Sequence, residues 1–207
     1  MTPLTPWAAL PRRRLLLLAA ASLAGCATRE TPPRRLFGLT GTPPLPADAR
    51  PGQDDRAWVL SPQVALPELL DRDELLVAEG SAGLRPWPEA RWAEPLRDAL
   101  PRLLAEDLGR LRAPYAVWLG GAADRDVESL RLNVRVDEWL ARPDGSGLVL
   151  TLRARWHWAP LQAPAGTALP PAGNADIAQR CAADADSLAD AYRRSIVALA
   201  ARIVAGS

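Results

Sequence analysis

The chain is predicted to be an α+β protein, a mostly antiparallel twisted sheet with two main helices packed on it. Three observations carry that expectation. Residues 130–140 and 148–158 alternate apolar and polar side chains with the period of a half-buried strand, and turn chemistry (Arg142-Pro143-Asp144-Gly145-Ser146-Gly147) lies between them. Leucines three and four apart mark a helix from about Arg91 to Leu111. A second stripe, Leu188, Tyr192, Ile196, Leu199 and Ile203, marks a helix from about Ser187 to Ala205.

Taken in order, Arg35 to Leu39 reads as a short strand, and the proline-rich stretch after it, to Asp55, as a loop. Ala57 to Leu66 alternates with Trp58, Leu60, Val64 and Leu66 on one side, but Pro62 demotes it to an edge or bulged strand. Leu69 to Arg72 is a turn, Glu74 to Ala78 a further strand, and Gly80 and Gly83 close it. Trp87, held in Pro86-Trp87-Pro88, reads as loop-borne.

In the first helix Trp92 and Leu96 open the stripe that continues through Leu100, Leu103, Leu104, Leu108 and Leu111. Pro95 suits the first turn, whereas Pro101 removes one backbone hydrogen bond and is expected to kink the helix. Pro114 stops it. Tyr115 to Leu119 is a brief strand ended by Gly120-Gly121. In the hairpin, Leu130, Leu132, Val134, Val136 and Leu140 face one way, with Leu148, Leu150, Leu152, Ala154, Trp156 and Trp158. Arg131, Asn133, Arg135 and Asp137 face the other, with Thr151, Arg153, Arg155 and His157. Residues 160–173 form a second proline-rich loop, and residues 174–186 fit either a last strand or an extension of the final helix. Ser187 with Asp190 resembles a capping box.

Near the N-terminus, Arg12, Arg13 and Arg14 precede about ten apolar residues, too few to span a bilayer as a helix but the length of a signal-peptide core. Leu23-Ala24-Gly25-Cys26 follows, a lipobox whose thiol would accept a diacylglyceryl group. Residues 1–25 are therefore expected to be a removed signal, 26–34 an acylated tether and 35–207 one domain. Acyl chains contribute ~0.8 kcal/mol per buried methylene, so two or three hold a protein on a membrane stably. Ala27 and Thr28 follow the cysteine, and bacterial lipoproteins held at the inner membrane tend to carry Asp there; this favours the periplasmic face of the outer membrane.

Without the signal the chain would hold 22 basic and 24 acidic residues, a near-neutral balance that argues against a nucleic-acid partner. Every basic side chain apart from the single histidine is an arginine. Once Cys26 is acylated, Cys181 has no partner for a disulfide and is expected to fill the core. His157 has no G-x-S-x-G elbow to serve, and one histidine with one thiol cannot build a Cys/His zinc site, so no catalytic residue, metal or cofactor is expected. Candidate contact residues for a partner or lipid are Trp87 and the wet-face arginines Arg131, Arg135, Arg153 and Arg155, which would gather within ~5 Å of cross-strand neighbours. Trp92, Glu94, Pro95 and Leu96 are assigned an architectural role.

Several of these segments together resemble the auxiliary lipoproteins of ABC-type and MCE-type lipid transport systems, the PqiC (YmbA-like) family. They are the lipobox, Leu36-Phe37-Gly38-Leu39, Val64-Ala65-Leu66-Pro67 with Leu69-Leu70-Asp71-Arg72, the string Arg91-Trp92-Ala93-Glu94-Pro95-Leu96, residues 148–156, and Ser195 to Ala200. Arg35 and Leu36 depart from the pattern by standing where aromatics are expected. The resemblance implies a non-enzymatic component that supports outer-membrane integrity, with a periplasmic MCE-domain subunit and its inner-membrane transporter as partners. Phospholipid and further copies of the chain are additional candidate partners. The rivals are an envelope lipoprotein serving lipopolysaccharide export or cell-wall synthesis, and a lipid-anchored hydrolase.

Overall fold

The computed structural model describes residues 34–47, 49, 54–121, 127–164 and 166–207. The expected signal, the lipobox with Cys26 and the tether up to residue 33 lie outside the described residues. In chain order the elements are β1 (Arg35–Phe37), β2 (Ala57–Leu60), a single 3-10 turn (Glu68–Leu70), β3 (Glu74–Glu79), β4 (Gly83–Trp92) and α1 (Leu96–Arg112). They continue with β5 (Val117–Leu119), β6 (Ser129–Asp144), β7 (Gly147–Gln162), β8 (Gly173–Ala182) and α2 (Ala185–Ala205).

The hairpin β6–β7 is the spine. Its alternation buries Leu130, Leu132, Val134 and Val136 on the helix side, opposite Leu150, Leu152, Ala154, Trp156 and Trp158. Gly145, at φ 59°, takes the left-handed conformation that the tight turn before Ser146 requires. β8 adds antiparallel to the far side of β7. The near side of β6 is shared, with β2 pairing parallel to its first part and β3 meeting it at Val77 and Ala141. β5 lies beyond β2, while β4 and then β1 lie beyond β3, so the open sheet is mixed although its long ladders are antiparallel. Residues 174–182 thus belong to a strand, not to the helix.

A bulge between Val136 and Glu138 corrects the expected phase of β6. One extra residue turns the following side chains over. Trp139 and Ala141 therefore enter the main core, and Leu140 joins Leu76 and Ala78 in a small cluster apart from it.

The first helix also starts later than the spacing predicts. Arg91 and Trp92 end β4, and Ala93 N–H still donates to Phe37 O at 2.9 Å, continuing the pairing with β1. Glu94 precedes a proline, a position where the helical conformation is disfavoured, and Pro95 caps the helix from an extended ψ of 136°. α1 then runs through Pro101 as one continuous element. Trp92 is buried all the same, set edge-on to Tyr192 of α2 at 5.0 Å between ring centroids. Trp139 meets the same ring at 4.8 Å and donates from Nε1 to Ser195 Oγ at 3.0 Å. Three aromatics from β4, β6 and α2 thus lock α2 onto the sheet. Asp184 caps α2, accepting from Ser187 N–H at 2.7 Å; the cap lies three residues before the expected Ser187 and Asp190 pair.

Candidate functional site

On the face of the hairpin away from the helices, the bulge sets the Asp137 carboxylate between two arginines. Arg155 grips it with Nε at 2.7 Å and Nη2 at 2.8 Å, and Arg135 Nε reaches it at 3.2 Å. The bond from Arg155, followed by that from Arg135, holds Asp137 below the usual carboxylate range. Arg153 lies 3.1 Å from Glu138 and 3.1 Å from Asp176, and Glu138 also pairs with Arg142. Three of the four predicted contact arginines are thus engaged by carboxylates. The fourth, Arg131, lines a cleft of about 300 Å³ with Ser61, Pro62, Gln63, Gly120 and Gly121. Arg135, Arg153 and Arg155 thus form a lattice of ion pairs, and Arg131 lines the cleft instead.

His157 is exposed on the same face, opposite Asn133. Among the described residues no group of three His, Cys, Asp or Glu side chains stands where it could hold a metal ion. Cys181 is half-buried and packs against the margin of the core, and burial raises the pKa of its thiol.

Trp87 is not loop-borne. It stands on β4, half-buried, at a cleft of about 430 Å³ between that strand and the hairpin turn. Glu94 pairs with Arg102 at 2.6 Å on the surface, while Leu96 is buried, so the Trp92 to Leu96 string braces the junction of β4 and α1.

Two buried arginines went unpredicted. Arg193 of α2 holds Asp107 of α1 with Nη1 at 2.5 Å and Nη2 at 2.9 Å, and its Nε donates to Gly41 O at 2.7 Å. Arg110 adds a bond to Asp107 at 3.1 Å and one to Pro43 O at 3.1 Å, so this knot pins the 41–43 segment to both helices. Arg112 stacks on the Trp58 ring at 3.6 Å and donates to Asp54 O at 2.6 Å and Arg56 O at 2.7 Å. Burial lowers its pKa to about 10. A signal for Asp107 existed, a carboxylate inside the leucine stripe between Leu104 and Leu108.

The model of the family described as ABC-type transport auxiliary lipoprotein component matches residues 37–204. The chain is similar to a crystal structure of protein XCC0632 from Xanthomonas campestris, of the family DUF330, at 15% identity and a TM-score of 0.64, covering 82% of this chain and 92% of that one. A crystal structure of an uncharacterized protein aligns at 15% identity with a TM-score of 0.59, over 84% and 97% of the two chains. At that identity these two establish the fold alone. No curated protein matches the chain.

Proposed function

We propose, because the chain belongs to the family of ABC-type transport auxiliary lipoprotein components, that it is the lipid-anchored, non-catalytic member of an MCE/ABC-type system moving lipid between the two membranes and so supporting outer-membrane integrity. The observation that carries this reading is the extent of the family match, residues 37–204, directly after a lipobox at residues 23–26. Cys26 is the acylated residue, the outer membrane the anchoring bilayer and the periplasm the compartment of the folded domain. Among the described residues no helix is long and apolar enough to cross a membrane, which fits attachment through acyl chains. The single exposed histidine lies among arginines with no nucleophile motif in the sequence, which favours a binding role over hydrolysis. The partner expected is a periplasmic MCE-domain subunit with its inner-membrane transporter.

The test uses the full chain, epitope-tagged in its own cells. Membranes are separated, extracted in mild detergent and the co-purifying proteins identified. Outer-membrane fractionation lost on Cys26→Ser, together with co-purification of an MCE-domain subunit, is the expected result. Fractionation unchanged by Cys26→Ser would sink the anchor, and co-purification of cell-wall synthases or lipopolysaccharide-export proteins in place of the MCE subunit would sink the transport assignment.

A further inference from the structure

The cleft beside Trp87 arises where the two hairpins part. β3 pairs with β4 through Leu76 and Pro86 and through Val77 and Arg85, which puts Arg85 on the same side of the sheet as the buried Val77. At Glu89 the backbone turns left-handed, with φ 59° at a residue that is not glycine, and the strand bends. Upstream of this bend stand Arg85, Trp87 and Pro88. Register between β3 and β6 is confined to Val77 and Ala141, after which β3 ends at Glu79 while β6 runs on to Asp144. α2 begins only at Ala185. The end of the sheet is therefore left open, with Val77 and Leu148 as its apolar floor, Trp87, Pro88 and Pro143 as walls, and Arg85 at the rim.

The lining selects an occupant. A partner strand adding to these edges would need backbone N–H groups, yet positions 86, 88 and 143 are prolines and have none to give. A flexible apolar chain needs no such ladder. The volume, about 430 Å³, is nearly three times the roughly 150 Å³ of an apolar cavity that admits benzene. It falls in the range of about 300–1,000 Å³ typical of small-molecule sites. Arg85 adds charge selection, because its guanidinium is about half-exposed and its carboxylate contact, to Glu79, is a long 3.8 Å. A planar guanidinium at the mouth of an apolar slot complements a phosphate borne on a hydrocarbon chain.

We propose that this cleft is a lipid site, taking part of an acyl chain of an anionic phospholipid between Trp87, Val77 and Leu148, with the phosphate at Arg85. The inference rests on the lipid-transport reading and names where the cargo would touch this subunit. Ser146, exposed at the hairpin turn, offers a clean probe, because a large side chain there fills the slot without entering the core.

The full chain is reconstituted into phosphatidylcholine vesicles that carry a trace of phosphatidylglycerol with an acyl-chain diazirine, illuminated, and the adducts are mapped by mass spectrometry. Adducts should concentrate at residues 84–88 and 143–148, disappear in Ser146→Trp, and fall in Arg85→Glu to the level given by a phosphatidylcholine probe. The melting temperatures of both variants should match the parent, which separates a blocked slot from a misfolded one. Adducts spread over the surface, adducts absent, or adducts indifferent to Ser146→Trp would overturn the site. So would Ser146→Trp abolishing recovery of the MCE subunit from cells while no lipid adduct forms, because the cleft would then be a protein contact. Adducts at the slot in a chain that recovers no transporter would leave the site standing and remove the transport assignment.

Discussion

Arg193 and Arg155 hold their carboxylates in nearly the same way. Each uses two nitrogens, at 2.5 and 2.9 Å on Asp107 in one case and at 2.7 and 2.8 Å on Asp137 in the other. They differ in burial. The Arg193 and Asp107 side chains are 3% and 0% exposed, those of Arg155 and Asp137 62% and 33%. Water and salt screen the second pair, and the free chain solvates both partners almost as well. The first pair has no water to fall back on, so removing either member strands a charge in a medium of low polarity. Ion-pair geometry by itself therefore does not tell how much a pair stabilises the fold, and the arginines that the sequence brings forward are the ones the fold can spare.

The sharpest way to break this contrast is Asp107→Ala. It leaves Arg193 buried without its carboxylate and loosens the segment held at Gly41, and we expect a loss of about 3–5 kcal/mol in denaturant unfolding. A loss below about 1 kcal/mol would mean that water reaches the knot and that the two arginines are alike.

Trp92→Ala should cost a similar 3–5 kcal/mol, as deletion of a large buried aromatic does. The fall should be smaller once Tyr192 is already Leu, because that variant no longer offers the ring that Trp92 meets edge-on. A variant that melts like the parent yet no longer recovers the MCE subunit would turn the Trp92 string from a brace into a docking surface.

Acid should act on the carboxylate that caps α2. Asp184 is held below the usual carboxylate range first by the Ser187 backbone N–H and then by its hydroxyl. Groups with lowered folded-state values give stability that is fully present above the unfolded value of ~3.9 and is lost as pH falls through the folded value. The melting temperature should thus stay level from pH 7 to 5 and drop below about 4, with a shallower drop in Asp184→Asn. An equal drop in parent and variant would show that the cap plays no part.

The smallest change is expected on the wet face. Arg135→Ala and Arg155→Ala, singly or together, should leave the melting temperature within the scatter of repeat measurements at physiological salt. A clear fall for either would show that the exposed lattice acts as a cooperative network.

The fold was legible where one local rule governed many residues. The β6–β7 hairpin alternates over a long stretch, and the α2 stripe repeats for about four turns, so class, spine and both helices could be read directly. What stayed hidden depended on contacts distant in sequence. The bulge at Asp137 leaves no mark in an alternating pattern and becomes visible only when Trp139 is found in the core where Leu140 was expected. β4 reads as a loop because Pro86 and Pro88 are poor strand residues, tolerated there since this part of the strand is bare on one side. Trp92 and Leu96 lie four apart and imitate a helical turn, although one ends a strand and the other starts a helix. Of the candidate site, the four wet-face arginines were read onto one face with Asp137, but the engagement of Arg153 was not foreseen, because Glu138 and Asp176 reach it only through the bulge and the β8 pairing. The cleft at Trp87 had one visible sign, a tryptophan between prolines, and needed the parting of two hairpins to become a site.

Where the chain enters the fold at Arg34 has a mechanical consequence. A pull at that end is first carried by β1, three residues paired parallel to β4, together with the exposed contact of Arg35 with Asp186 at 3.1 Å. Behind these come Phe37 and Leu39, both buried, and then Gly41, whose carbonyl is held by Arg193. Force arriving along the backbone is handed in stages to β4 and to α2. The first strand is therefore loaded before the arginine knot, and the two stand in series along the chain.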